Sequence, residues 1–331
     1  MKKILNSPDT IVDDMLTGYV SAHSTTVKFG SHPRVIVRAR SKNAGKVGLI
    51  IGNGSGHEPI AMGWVGEGLL DANAVGEIFA APAPHIIVEG IKSADFGAGT
   101  ILLVSSHSGD IINSEAAIED AKELGIDVRS LLMYDDISSA PKGQEAERRG
   151  APGTTFIYKI LGAATEHGYD IDRSIALGAK VRDWTRTLGV AVAPGISPLT
   201  GKPMFSIPKN EIYIGIGVHG EPGIRQRAIG SASDVVVEVM ENIFADFDYK
   251  TCEEVTVLVN GSGGTTLMEL FIIYGEVAKF LKNHGIRIIM PMVGELVTTQ
   301  ETAGFSISLL RMDEEIKEMW SRPSYAPYFH L

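Results

Sequence analysis

Short apolar runs of strand length alternate along this chain with longer stretches of helical period, and that alternation confines the fold to α/β layers with buried strands. Residues 47–51, 100–104 and 126–133 read as the clearest early strands. Between the last two, Asn113 or Ser114 can cap a helix with Glu115 in its first turn, Ile118, Ala121 and Leu124 on one face and Gly125 as its stop. Helical pattern returns over 153–167 and 172–188, then a strand at 189–193 runs into a Pro- and Gly-rich stretch, 194–203. The second half predicts strands at 212–218, 255–259, 286–290 and 305–310, the last alternating Phe305, Ile307 and Leu309 with Ser306 and Ser308. It also predicts a helix over 233–244 and a longer one whose Leu267, Leu270, Phe271, Tyr274, Val277, Ala278 and Leu281 form one apolar stripe. The tail after Arg322 reads as coil with aromatic anchors. The expectation is two α/β domains with mixed sheets, 1–187 and 188–331.

Charge narrows the range of partners. Asp and Glu outnumber Lys and Arg by 40 to 30 with no dense basic stretch, which argues against a nucleic-acid groove or an anionic membrane surface. A single cysteine, Cys252, cannot form an internal disulfide, so a reducing cytoplasm is the natural compartment. The basic, apolar start at Lys2, Lys3, Ile4 and Leu5 imitates a signal peptide, but Asn6, Pro8 and Asp9 interrupt it, and no later run reaches membrane-spanning length.

Two echoed segments carry the chemistry: Gly54-Ser55-Gly56-His57-Glu58-Pro59 and Val218-His219-Gly220-Glu221-Pro222-Gly223, each following an apolar run. Glycine permits a sharp turn and close approach of a ligand, and proline fixes the exit, so each imidazole stands on a stiff platform. His219 has little side-chain bulk around it; its ring can act as a base, ligate a metal, add to an electrophilic carbon, or simply hydrogen-bond the turn. His57 follows a glycine-rich stretch whose backbone N–H groups suit hydroxyl or phosphate oxygens. A third piece, Ser105-Ser106-His107-Ser108-Gly109-Asp110, directly follows a strand, where open α/β sheets bind ligands. Asp110 there is either a base toward a substrate hydroxyl or a helix cap. The run from Asn260 to Thr266 lacks the Gly-Lys-Ser/Thr ending of a phosphate loop, and the His/Glu spacings are not those of a helical zinc motif. No cofactor or metal is expected on this chain.

Taken with Gly76-Glu77-Ile78-Phe79, Gly109-Asp110, Arg148-Arg149-Gly150, Gly201-Lys202-Pro203, Val259-Asn260-Gly261 and Ala303-Gly304-Phe305-Ser306-Ile307, these segments resemble, in order and over nearly the whole chain, the dihydroxyacetone kinase substrate-binding subunit, the DhaK family. The resemblance implies a homodimer of two-domain chains with the ligand at the domain junction. It assigns to His219 the covalent capture of the ketone carbon as a hemiaminal. To His57 it assigns a hydrogen bond to the triose, and to Asp110 the role of base toward the terminal hydroxyl. Gly54, with neighbouring Ser55 and Gly56, supplies the backbone contact, and His107 or Ser106 can substitute for a polar contact that the family makes from position 105. The nucleotide, ADP or ATP with Mg, is then expected on a separate DhaL-type subunit, recharged by a DhaM-type phosphocarrier, because no helical nucleotide domain follows Leu331.

Three positions depart from the family pattern. Ser105 stands where a lysine aligns, Ala81 where a serine aligns and Tyr213 where an acidic residue aligns. Loss of a cationic donor removes a charge-assisted hydrogen bond of about 1.5–3 kcal/mol. The departures point to altered specificity, toward a ketose such as erythrulose, or to a ligand-sensing coactivator.

Overall fold

Six strands form the first sheet: β1 (Val27–Phe29), β2 (Val35–Arg38), β3 (Gly48–Ser55), β4 (Ala72–Ile78), β5 (Thr100–Ser105) and β6 (Val128–Met133), in the order β1-β2-β4-β3-β5-β6. β4, β3, β5 and β6 run parallel, and β1 and β2 extend the sheet antiparallel. The computed structural model describes residues 3–331 and divides them into two units. The first holds this sheet with helices α1 (Ile11–Ala22), α2 (Pro84–Ala94), α3 (Ser108–Glu123), α4 (Thr155–Glu166) and most of α5 (Ile171–Asp183). Apolar residues on β2 to β6 pack against Ile87, Val88 and Ile91 of α2 and Ala117 and Ala121 of α3, closing one layer of core.

The second unit is built on seven strands: β7 (Thr185–Ala193), β8 (Glu211–Ile214), β9 (Arg225–Ala228), β10 (Glu254–Gly261), β11 (Arg287–Ile288), β12 (Met292–Gly294) and β13 (Ala303–Arg311). Their order is β11-β10-β13-β7-β8-β9, with β12 also on β10, and parallel and antiparallel pairs mix. Helix α6 (Ala232–Asp246) begins at a Ser231/Asp234 capping box and α7 (Leu267–Asn283) at a Thr266/Glu269 box. Val235, Val236, Val239, Met240 and Ile243 of α6, and Leu270, Ile273, Val277 and Leu281 of α7, cover this sheet.

The predicted apolar stripe of α7 is therefore rotated: Leu267 and Phe271 lie on the outer face, each 57% exposed. β13 is buried along its length, so Ser306 and Ser308 face a core rather than solvent; Ser308 Oγ lies at hydrogen-bond distance from Thr187 Oγ1, 2.7 Å. Helix α3 starts at Ser108, with His107 as its flanking residue, so neither Asn113 nor Ser114 caps it; Asn113 Nδ2 instead donates to Pro82 O at 2.9 Å.

The chain crosses between units more than once, where the sequence reading has one crossing at 187/188. Tyr134–Thr154 belongs with Arg182–Glu315 in the second unit. Thr187 N–H donates to Asp135 O at 2.9 Å and Ile137 N–H to Thr187 O at 3.1 Å, which ties the excursion to β7. The chain returns to the first unit in α8 (Glu314–Ser321), which belongs to it from Ile316, and the tail after Arg322 forms the hairpin β14 (Tyr325–Ala326) and β15 (Phe329–His330) rather than coil. Its aromatic anchor Phe329 stacks on Trp64 with centroids 4.6 Å apart, and in α8 Trp320 meets Phe156 edge-on at 5.6 Å. The buried Lys159 ammonium holds the end of α8 by donating to Met319 O at 3.0 Å and Arg322 O at 2.8 Å. Among the described residues no helix is long and apolar enough to cross a membrane.

Candidate functional site

In the first unit, three loops meet at the carboxyl ends of parallel strands, the position from which such sheets present ligand groups. The turn after β3 carries Gly54, Ser55, Gly56 and His57. Ser55 is buried and its hydroxyl donates to Gly76 O at 2.8 Å, while Phe79 N–H donates to Ser55 O at 2.8 Å, fastening this turn to the loop after β4. Gly54 is required by that approach: a Cβ would stand 2.8 Å from both the amide nitrogen and the carbonyl oxygen of Ala80. His57 packs its ring against Phe79, centroids 5.1 Å apart. Ala81, on the same loop, lies against the first turn of α3, where a Cβ on Gly109 would stand 3.5 Å from its methyl. Ser105 Oγ lies 3.0 Å from His107 Nδ1, and Asp110 falls in the first turn of α3, where a negative charge complements the helix dipole. The unit thus carries His57, Ala81, Ser105, His107 and Asp110 on the segments that follow the carboxyl ends of β3, β4 and β5, from the end of β5 to the first turn of α3.

The second unit carries His219 on the turn after β8. Its backbone N–H donates to Glu221 Oε2 at 2.9 Å, and its Nδ1 lies 3.2 Å from Glu221 Oε1. In the first unit, Gly56 N–H donates to Glu58 Oε1 at 2.9 Å. Both glutamates therefore fold back onto the amide two residues earlier. The additional glycine of His-Gly-Glu-Pro makes that earlier residue the histidine itself, which brings the carboxylate to the imidazole. Burial pushes the Glu58 carboxyl above its ordinary value. For Glu221 burial acts upward too, but hydrogen bonds from His219 and the turn backbone outweigh it and hold the carboxyl down to about 2.

Behind Glu221 stand Arg149, seen in the sequence only as part of the Arg148-Arg149-Gly150 segment, and Asp136, which the sequence did not single out. Arg149 Nη1 lies 3.7 Å from Glu221 Oε2, while its Nη2 and Nε donate to Asp136 Oδ2 at 2.8 and 3.1 Å. Asp136 Oδ1 accepts from Ser138 N–H at 2.9 Å. Gly217 leaves room for this arrangement, since a Cβ there would come 2.1 Å from Glu221 Oε2 and 2.4 Å from Arg149 Nη1. Tyr213 has a structural use: its hydroxyl oxygen accepts from Gly223 N–H at 3.1 Å, closing the far side of the turn. The adjacent Arg148-Arg149 pair was legible, but its two members diverge, Arg148 forming a buried ion pair with Asp246 and Arg149 reaching toward the histidine turn. The glycine-rich run after β10 is a bracket: buried Asn260 accepts from Leu296 and Val297 N–H at 2.9 and 2.8 Å and donates to Val297 O at 2.8 Å.

Fold and site together define a two-unit α/β protein whose units each present a histidine on a glycine-braced, glutamate-folded turn. Residues 17–328 match the Dak1 domain, and the chain belongs to that family, as the sequence resemblance implies. It is 41% identical over 315 residues, 95% of each chain, to the dihydroxyacetone-binding subunit DhaK of PTS-dependent dihydroxyacetone kinase 1 from Listeria innocua. It is 34% identical to a D-erythrulose kinase from Mycolicibacterium smegmatis, over 99% of this chain and 56% of that protein. Among solved structures, the dihydroxyacetone kinase operon co-activator Dha-DhaQ superposes with a TM-score of 0.89 at 31% identity, covering 95% of this chain and 97% of that one.

Proposed function

We propose that this chain is the ketose-binding subunit of a phosphotransferase: it captures a short ketose on His219 as a hemiaminal and presents a hydroxyl of that ketose for phosphorylation. The observation that carries the reading is membership, along nearly the whole chain, in the family that includes a dihydroxyacetone-binding subunit, with His219 on an accessible turn. His57 and Asp110 follow from the resemblance as hydrogen-bond partner and base. A covalent tether fixes the nucleophilic oxygen, a contribution of roughly 7–11 kcal/mol at the limit for well-oriented reactants.

The phosphoryl donor belongs to the partner, a DhaL-type subunit carrying ADP or ATP with Mg and recharged by a DhaM-type phosphocarrier. The working form is a homodimer in the cytoplasm, and dihydroxyacetone is the first substrate to try. Ala81 removes a hydroxyl beside Gly109 and opens space, so erythrulose is the next. The experiment mixes the chain with DhaL- and DhaM-type subunits, phosphoenolpyruvate or ATP, and a panel of ketoses, and follows the sugar phosphate. Turnover that His219→Ala abolishes supports the reading; turnover unchanged in that variant rejects the capture role.

A second reading is favoured by the Dha-DhaQ superposition together with Ser105 and Ala81: a coactivator that binds the ketose without passing phosphate to it. Ketose binding with no turnover in any combination supports that reading.

A further inference from the structure

We propose that Glu221, backed by Arg149 and Asp136, is a positioning residue that fixes the ring proton of His219 on Nδ1 and so leaves the lone pair on Nε2 for the ketose carbonyl. The proposal rests on the reading of His219 as the capture residue and says how that residue is made nucleophilic.

An ionised carboxylate only accepts hydrogen bonds. With Glu221 Oε1 at 3.2 Å from Nδ1, the imidazole must donate there, which selects the tautomer carrying hydrogen on Nδ1. The second carboxylate oxygen is bound to the His219 amide at 2.9 Å, so the carboxylate cannot swing away without losing two bonds to one residue. Arg149 supports the carboxylate without capturing it: at 3.7 Å its Nη1 lies beyond hydrogen-bond distance of Glu221 Oε2, because Asp136 holds the guanidinium through two donors. Glu221 therefore has a cation behind it at Oε2, while Oε1 stays committed to the ring. Only the second of the two echoed turns has the intervening glycine that permits this, which separates His219 from His57 by geometry rather than residue type.

The Nε2 lone pair forms a bond to the carbonyl carbon as the C=O π pair moves to oxygen, and that oxygen takes a proton from water, releasing hydroxide. The ring becomes an imidazolium that keeps its Nδ1 proton. Glu221 thus faces a neutral donor before capture and a cation after it, so its interaction strengthens as the adduct forms. A carboxylate so placed favours the adduct over the free ketone.

The test reads the tautomer directly, from the ring nitrogen shifts of 15N-histidine-labelled full-length chain without ketose at neutral pH, with His219 assigned by its loss in His219→Ala. The expected spectrum has a pyrrole-type Nδ1 and a pyridine-type Nε2. Glu221→Gln is expected to move population toward the form protonated at Nε2 and to weaken dihydroxyacetone binding about 10- to 100-fold, the loss expected for one charge-assisted hydrogen bond. Arg149→Met, which leaves the turn's own residues intact, shifts the spectrum the same way by less, and Arg149→Lys restores it. A wild-type His219 protonated at Nε2, or a Glu221→Gln spectrum unchanged from wild type, overturns the proposal. If the expected tautomer is found while bound ketose stays a ketone, Glu221 keeps its positioning role and the capture reading fails instead.

Discussion

Replacing Gly217 with alanine sets one methyl group against the contact between Glu221 and Arg149. The new carbon would stand 2.1 Å from Glu221 Oε2 and 2.4 Å from Arg149 Nη1. Non-bonded heavy atoms settle at roughly 3.5 Å, so the carboxylate must move by more than about 1 Å. That displacement breaks the bonds of 2.9 and 3.2 Å that Glu221 makes with His219. Both obstructing atoms end flexible side chains, and Glu221 is a third exposed, so the fold relieves the clash cheaply and loses about 1 kcal/mol. His219 cannot be relieved: it loses its ring acceptor, and ketose affinity falls about 10- to 100-fold, the equivalent of one hydrogen bond to a charged group. Urea denaturation reads the first quantity and calorimetric titration with dihydroxyacetone the second. Unchanged affinity would refute the coupling of Glu221 to the histidine. A loss of stability beyond about 3 kcal/mol would refute the claim that only side chains yield.

Gly54→Ala presents the opposite case, because the obstructing atoms are the backbone of Ala80; it is expected to cost about 1–3 kcal/mol and to weaken ketose binding by shifting His57, and a variant as stable as wild type would contradict the packing described. Gly275→Ala, exposed within α7 with nothing within 4 Å of the added carbon, is expected to stabilise by about 1 kcal/mol without changing binding, read by the same denaturation. Burial pushes the Asp135 carboxyl up to about 7 although Thr187 Oγ1 and the Ala151 and Gly153 amides donate to it. The folded state therefore holds that proton more tightly than an unfolded aspartate near 3.8, and the stability this gives is complete below the lower value and lost as pH rises through 7. The full effect is on the order of 4 kcal/mol, and the stability difference between wild type and Asp135→Asn should change in that window; a pH-independent difference would contradict it.

The elements that the sequence revealed are those whose local signals agree with their packing. α6 and α7 have capping boxes and one buried stripe each, and β3, β5 and β10 are apolar runs ended by glycine or serine turns. Where tertiary contacts override local pattern, the sequence misleads. The serines of β13 are buried because both of its faces are covered, and Tyr134–Thr154 joins the second unit through hydrogen bonds to β7 that leave no periodicity in the sequence. β1 and β2 are too short to show a period. At the site, glycine and proline punctuation exposed both histidine turns. The pairing of Asp136 with Arg149 stayed hidden, since the two come together through the path of a loop and not through helical or strand spacing.

Nuclear magnetic resonance of [2-13C]dihydroxyacetone titrated with the full chain tests the capture chemistry most directly. Wild type should move the labelled carbon from the ketone region to that of a tetrahedral carbon bonded to nitrogen and oxygen, and His219→Ala should leave it a ketone. A bound sugar whose labelled carbon remains trigonal in wild type, or turns tetrahedral without His219, would contradict it.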